Sequence, residues 1–223
     1  MGSSSGIRKV VESRNIKEVL HFTTNRGFLG CLASGGLLPR NMLHEDDLLS
    51  HILTLNAPFR TEEEAWFDQT EKWIEYVNLS ISEITRNLFS YSMKWHKGQD
   101  LSWLILAFDP EILEHEGVYF TTTNNIYPYV ARDKGAEGLE ALFAPVIRRK
   151  GSWKAVRGQR PPSLPTCEQA EVLYPGKLSS EYLRTVYAQD GEDSDWVHGI
   201  LGIYQRRDVS VVVSRTKFEG VPN

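Results

Sequence analysis

The chain is poor in cysteine. Cys31 and Cys167 are the two among 223 residues, too few for a disulfide framework. A reducing cytoplasm is the expected setting, and Cys167, with no histidine near it in sequence, reads as a buried thiol. The six histidines are scattered and neither CxxC nor HExxH occurs, so no metal site is expected. No GxGxxG follows a strand, which removes the fingerprint of hydride-transferring dinucleotide enzymes. Apolar runs fall short of the roughly 18 residues that a spanning helix needs, so no membrane association is expected. The opening MGSSSGIRKVV has no apolar core segment, so no signal peptide is expected. Nor is there an excess of positive charge: the net charge is −4.

What is present suffices for one sizeable core. Hydrophobic residues make up 41% of the chain and charged ones 24%, the balance of a globular protein that folds without staples. We read residues 1–223 as one domain, with 1–6 as a flexible lead-in or cloning remnant. Charge is unevenly placed. Residues 45–75 carry nine acids against Arg60 and Lys72. Residues 148–160, RRKGSWKAVRGQR, carry Arg148, Arg149, Lys150, Lys154, Arg157 and Arg160 with no acid, and Trp153 stands among them. Cations beside an aromatic ring suit a single nucleic-acid strand, by phosphate attraction and base stacking. The same run also describes a solvated loop.

The element pattern is mixed. Residues 18–24 read as a strand, followed by a short helix with Asn25 as cap, ended at Gly35–Gly36. LLPRN leads into a loop, and 43–73 reads as irregular helix, with Thr61 and Glu64 as a capping box. Residues 74–82 alternate as a strand, and a short helix or turn carries Arg86. Strands follow at 102–109 and 117–125, then a helix at 135–144 and a long unstructured basic loop. EQAEVLYPG is a strand, 179–189 is open between strand and helix, 193–207 is a helix and VSVVVS a late strand. Strands and helices do not alternate strictly, which argues an α+β fold, not a doubly wound sheet.

One position stands out. Glu171 heads the apolar run Val172-Leu173-Tyr174, with Gln169 two residues before it. In a strand the two share a face, about 7 Å apart. A glutamate at a strand start is most often a solvated rim residue. Here it is accompanied by VLHFTTNRGFLGCLASGGLLPRN, YVNLSIS, GVYFTTTNNIY and QAEVLYPGKLS, in that order over roughly residues 15–190. Together these resemble the DarT family of DNA ADP-ribosyltransferases, toxins of bacterial toxin–antitoxin pairs. HFT before a helix and GLL also suggests the wider fold, which includes RNA phosphotransferases.

The resemblance implies a split, mixed β-sheet with flanking helices and a central NAD⁺ cleft. It implies transfer of ADP-ribose from NAD⁺, a consumed co-substrate, to a base of single-stranded DNA. It also implies a cognate antitoxin that removes the mark, of the ADP-ribosylglycohydrolase type, or that binds the toxin. Breaking the nicotinamide–ribose bond builds oxocarbenium character, which calls for a carboxylate, and the resemblance gives that role to Glu171. Gln169 would face the acceptor. His21 is the candidate for the adenosine ribose, with Thr23 and Asn25 beyond it and Gly27 allowing close approach to nicotinamide. Arg86 is the candidate cation, with Arg40 and Arg26 behind it. The family's arginine usually follows the LSIS-like strand directly; here Glu83 does, and the arginine comes three residues later. Tyr91, Tyr119 and Phe120 are candidates to stack on nicotinamide, and the basic run to bind DNA.

Three readings therefore compete: a DNA-directed transferase, an RNA- or protein-directed transferase of the same fold, and an inactive binding module. The intact Gln169-Ala170-Glu171 argues against the last. The family modifies guanine or thymine, and the wording TNRGFLGCLASGGLL with TTTNNIY leans to the guanine branch.

Overall fold

A computed structural model describes residues 2–43, 64–65, 67–128 and 130–223. Among these, the helices are α1 (Gly2–Arg14), α2 (Asn25–Ala33), α3 (Arg40–Leu43), α4 (Arg86–Trp95), α5 (Gly135–Ala141) and α6 (Gly191–Ile203). The first six strands are β1 (Val19–Thr24), β2 (Gly36–Leu37), β3 (Tyr76–Ile81), β4 (Trp103–Phe108), β5 (Tyr119–Thr121) and β6 (Arg132–Lys134). β7 (Val146–Arg148), β8 (Lys154–Val156), β9 (Glu171–Pro175), β10 (Leu178–Ser179), β11 (Leu183–Ala188) and β12 (Ser210–Val213) follow.

Eight strands form one sheet in the order β12-β11-β4-β1-β3-β9-β5-β6. The β11–β12 pair is parallel and the other pairs are antiparallel. β4 reads WLILAF and is buried at every position, because a central strand has both faces covered. β3 alternates instead, burying Val77, Leu79 and Ile81. One face packs on α1, α2, α5 and α6 through Ile7, Phe28, Leu32, Leu139, Val197 and Leu201. The other holds Leu20, Ile105 and Ala107 against Phe89 of α4 and Phe218.

The sheet divides at its middle. β1 follows β4 along six residue pairs but meets β3 at two, Val19↔Ile81 and Leu20↔Ser80. Beyond Leu20 the strands part, and the His21 side chain takes over: its Nδ1 lies 3.0 Å from the Asn78 carbonyl. The observed α+β class and split mixed sheet are those expected.

Several local expectations are corrected. α1 begins at Gly2, where a flexible lead-in was expected. Buried Ile7 docks the helix on the core, and Arg8–Glu114 and Arg14–Glu140 pin it, which outweighs the poor helix propensity of Gly and Ser. Thr24, not Asn25, caps α2, accepting from the Gly27 N–H at 3.1 Å. The short helix α3 occupies Arg40–Leu43, where a loop was expected. Thr61 and most of the expected 43–73 helix lie outside the described residues. The described end is irregular: Asp68 accepts from Thr70 N–H and from the Trp73 indole, satisfying both without a helix. The basic segment is not structureless either, since β7 and β8 form a hairpin.

Candidate active site

Glu171 is the first residue of β9 and pairs in register with Thr121 of β5. Its backbone N–H donates to the Thr121 hydroxyl at 3.2 Å. Its carboxylate is held from the next loop: Oε2 accepts from the Asn125 N–H at 2.9 Å. Asn125 is buried and gripped by Arg132, which donates to its Oδ1 and to its carbonyl. The glutamate is half-buried, oriented and charge-assisted.

His21 stands across β3. Asn78 links the two places: its carbonyl takes the imidazole, and its register partner Leu173 lies two residues after Glu171. Burial pushes the His21 pKa below its usual value, and the Asn78 contact offsets part of that. A carbonyl only accepts, so Nδ1 carries the proton and the neutral ring presents Nε2 as an acceptor. Such a ring can take a hydrogen bond from a ribose hydroxyl.

Gly27 is required by its own neighbour. A Cβ there would lie 2.0 Å from the Thr23 hydroxyl oxygen, so the glycine makes room for Thr23. Asn25 accepts from the Arg26 N–H and donates its own N–H to the Ser102 carbonyl, holding the β1–α2 turn to β4. Arg26 is exposed and Arg40 half-buried at the start of α3.

The Gln169 expectation is corrected. β9 begins at Glu171, and Gln169 lies in a turn closed by Ala170 N–H to the Cys167 carbonyl, so the two do not share a strand face. The turn is tied from outside: Thr85 donates to the Glu168 carbonyl, and Asn223 accepts from the Glu168 N–H while donating to the Thr166 carbonyl. Gln169 Oε1 is nonetheless buried without a hydrogen-bond partner among the described residues, an acceptor awaiting a donor. Arg86 follows Thr85 directly at the exposed start of α4, which sets it beside this turn.

The aromatic candidates separate. Tyr119 donates to Glu71 Oε1 at 2.7 Å, packs on Trp73 and Tyr76, and lies under the Lys134 ammonium. It therefore secures the 67–75 segment. Tyr91 is exposed on α4 and stacks on Trp95. Phe120 is fully buried in the core, which corrects its candidacy as a stacking ring.

The basic run also separates. Arg157 donates to the carbonyls of Pro161, Pro162 and Leu164 and lies over the Phe143 ring. Arg160, with 8% of its side chain exposed, pairs with buried Glu83 and donates to the carbonyls of Pro165 and Val221. Arg149 pairs with buried Glu168. These three shape the segment from within, which corrects their expected role as phosphate contacts. Arg148, Lys150, Trp153 and Lys154 stay exposed at the hairpin and its tip, Trp153 at 72%.

Sequence reasoning missed Asn125 and Arg132. Asn125 had one signal, TTTNN, read as a strand running into turn residues, and Arg132 had none. Cys31 and Cys167 are both buried thiols, and burial raises both pKa values, Cys31 to about 12. Among the described residues no cluster of His, Cys, Asp and Glu is placed to hold a metal ion, and no helix is long and apolar enough to cross a membrane.

A family model described as "ssDNA thymidine ADP-ribosyltransferase, DarT" matches residues 20–218. No curated protein matches the chain. Among solved structures, the fold is similar to Thermus sp. 2.9 DarT in complex with NAD⁺, at 16% identity and TM-score 0.61, over 90% of this chain and 96% of that one. The same protein in complex with ADP-ribosylated ssDNA superposes at 14% identity and TM-score 0.63, over 91% and 96%. Thermosipho africanus DarTG in complex with ADP-ribose is similar at 14% identity and TM-score 0.63, over 91% of this chain. The chain spans about half the length of that protein, 51%.

Proposed function

The chain belongs to the DarT family of single-stranded DNA ADP-ribosyltransferases, and from that premise we propose that it transfers ADP-ribose from NAD⁺ to thymine in single-stranded DNA. The observation that carries this reading is Glu171, fixed half-buried at the head of β9 by the Asn125 N–H, with the neutral His21 across β3. In the reaction the bond between ribose C1′ and the nicotinamide nitrogen breaks, and its electron pair leaves with nicotinamide. A nitrogen of the base bonds to C1′, and the Glu171 carboxylate takes that nitrogen's proton. The same carboxylate stabilises the positive sugar before the new bond forms. His21 Nε2 accepts from a ribose hydroxyl of the adenosine half. Gln169 holds the acceptor base through its side-chain amide N–H, donated to a thymine carbonyl, because the one N–H of a thymine in DNA is the one that reacts. The exposed Trp153 and its neighbouring cations stack and steer the strand.

Thymine is preferred to guanine because the matched family description names thymidine, against the lean that the wording TNRGFLGCLASGGLL with TTTNNIY gives. We further infer a cytoplasmic toxin that works beside an antitoxin of the ADP-ribosylglycohydrolase type. The test offers labelled NAD⁺ with single-stranded DNA, duplex DNA, RNA and protein in parallel. Single-stranded DNA should gain the mass of one ADP-ribose, digestion to nucleosides should place it on thymidine, and Glu171→Ala should abolish it. Label on protein or RNA alone would replace the acceptor, and a guanosine adduct would replace the base.

A further inference from the structure

The geometry points to Arg132 as a positioning residue for Glu171, acting through the backbone of Asn125. This rests on the reading of Glu171 as the catalytic carboxylate. Arg132 opens β6, at the far end of the loop that leaves β5. Its Nε donates to Asn125 Oδ1 at 2.5 Å and its Nη2 to the Asn125 carbonyl at 2.6 Å. Two prongs on one residue fix both the position and the tilt of its peptide, as a guanidinium fork can and an ammonium cannot. The N–H of that residue is the one that meets Glu171 Oε2.

The fork is itself braced. Nη1 donates to Asp68 Oδ2 at 3.0 Å. The guanidinium lies 5.0 Å from the Trp73 ring centroid and 5.4 Å from that of Phe67. Asp68 is held in turn by the Thr70 N–H, which keeps its carboxyl below the usual range, so it remains an anion for Arg132. Described residues at the two ends of the loop between also hold one another. Thr122 N–H donates to the Ala131 carbonyl, and Ala131 N–H to the Thr122 hydroxyl. Asn124 Oδ1 accepts from the Ile126 N–H. A chain of contacts thus runs from Asp68 through Arg132 and Asn125 to the carboxylate. These side chains hold one another and the carboxylate, so the proposal expects their loss to misplace Glu171 and leave the grip on NAD⁺ largely in place.

The experiment compares wild type, Arg132→Lys, Arg132→Met, Asn125→Ala and Glu171→Ala in steady-state transfer to an oligothymidylate, with NAD⁺ varied. Melting curves with and without NAD⁺ accompany each. Arg132→Met should lower kcat by about 10- to 100-fold, the scale for a reacting group displaced by around an ångström, with KM for NAD⁺ within about 3-fold. Arg132→Lys keeps a cation for Asp68 and the rings but loses the fork, so it should fold normally and still show most of the kcat loss. Asn125→Ala removes one prong's partner and should fall between. Wild-type kcat in both Arg132 variants, or a loss carried by KM alone, overturns the inference. So does failure of all three Arg132 and Asn125 variants to fold, which would give Arg132 to the fold and not to the reaction. Full activity in Glu171→Ala would instead sink the reading of Glu171, whatever Arg132 does.

Discussion

Substituting Gly27 by alanine isolates a single steric contact. The new Cβ would lie 2.0 Å from Thr23 Oγ1, 3.4 Å from Thr23 Cβ and 3.6 Å from Thr24 Oγ1. The last two are ordinary contacts; the first is not, so the Thr23 hydroxyl must leave its place. Overpacking of this kind costs about 1–3 kcal/mol. Gly27 is the third residue of α2, where alanine for glycine is worth about 1 kcal/mol in helix propensity. The net effect in the wild type is therefore between neutral and about 2 kcal/mol destabilising. In a Thr23→Ala background the hydroxyl is gone, and the same substitution should stabilise by about 1 kcal/mol. The coupling between the two positions equals the overpacking cost, about 1–3 kcal/mol, and is read from urea denaturation of the four proteins. Calorimetric titration with NAD⁺ should show weaker binding for Gly27→Ala, because the displaced hydroxyl is the one on the His21 face of β1. Additivity within about 0.5 kcal/mol would refute the argument, since no clash would then be felt.

Three further outcomes follow from the buried charges and the hairpin. Burial outweighs Arg160 and the Val221 N–H and pushes the Glu83 carboxyl up to about 7, against an ordinary 4.5. Between those values the folded protein binds more protons than the unfolded chain, so stability falls as pH rises through the window. The loss is on the order of 3 kcal/mol, and Glu83→Gln should flatten this slope in melting curves from pH 4.5 to 8. Trp153→Ala should weaken single-stranded DNA binding by about 1–3 kcal/mol in fluorescence anisotropy and leave the melting temperature unchanged. Arg160→Ala should do the reverse, costing about 3–5 kcal/mol of stability by stranding Glu83.

Periodicity and turn chemistry were legible wherever a segment decides its own shape. WLILAF has the continuous apolar character of a central strand, and YVNLSI alternates as a strand covered on one face does. Glu171 and His21 were singled out by the motifs around them and not by their own places, since a glutamate at a strand start or a histidine in a strand is ordinary by itself. Residues 148–160 show the opposite. Six cations in a row look alike on paper, yet Arg149, Arg157 and Arg160 are spent on buried acids and carbonyls while Trp153 and its neighbours face water. For Arg149 and Arg160 the difference lies in acids 19 and 77 positions away, Glu168 and Glu83, and for Arg157 in the way the chain at 161–164 folds back onto it.

Local sequence dictated which residue types stand in β1 and at the head of β9, because side-chain chemistry travels with the residue. Only folding settled how those residues are held. The parting of β1 from β3, the burial that keeps His21 neutral and the grip of Arg132 on Asn125 all depend on contacts between distant segments. Hydrogen bonds and desolvation act through space, and no reading along the chain brings Asp68, Asn125 and Glu171 together.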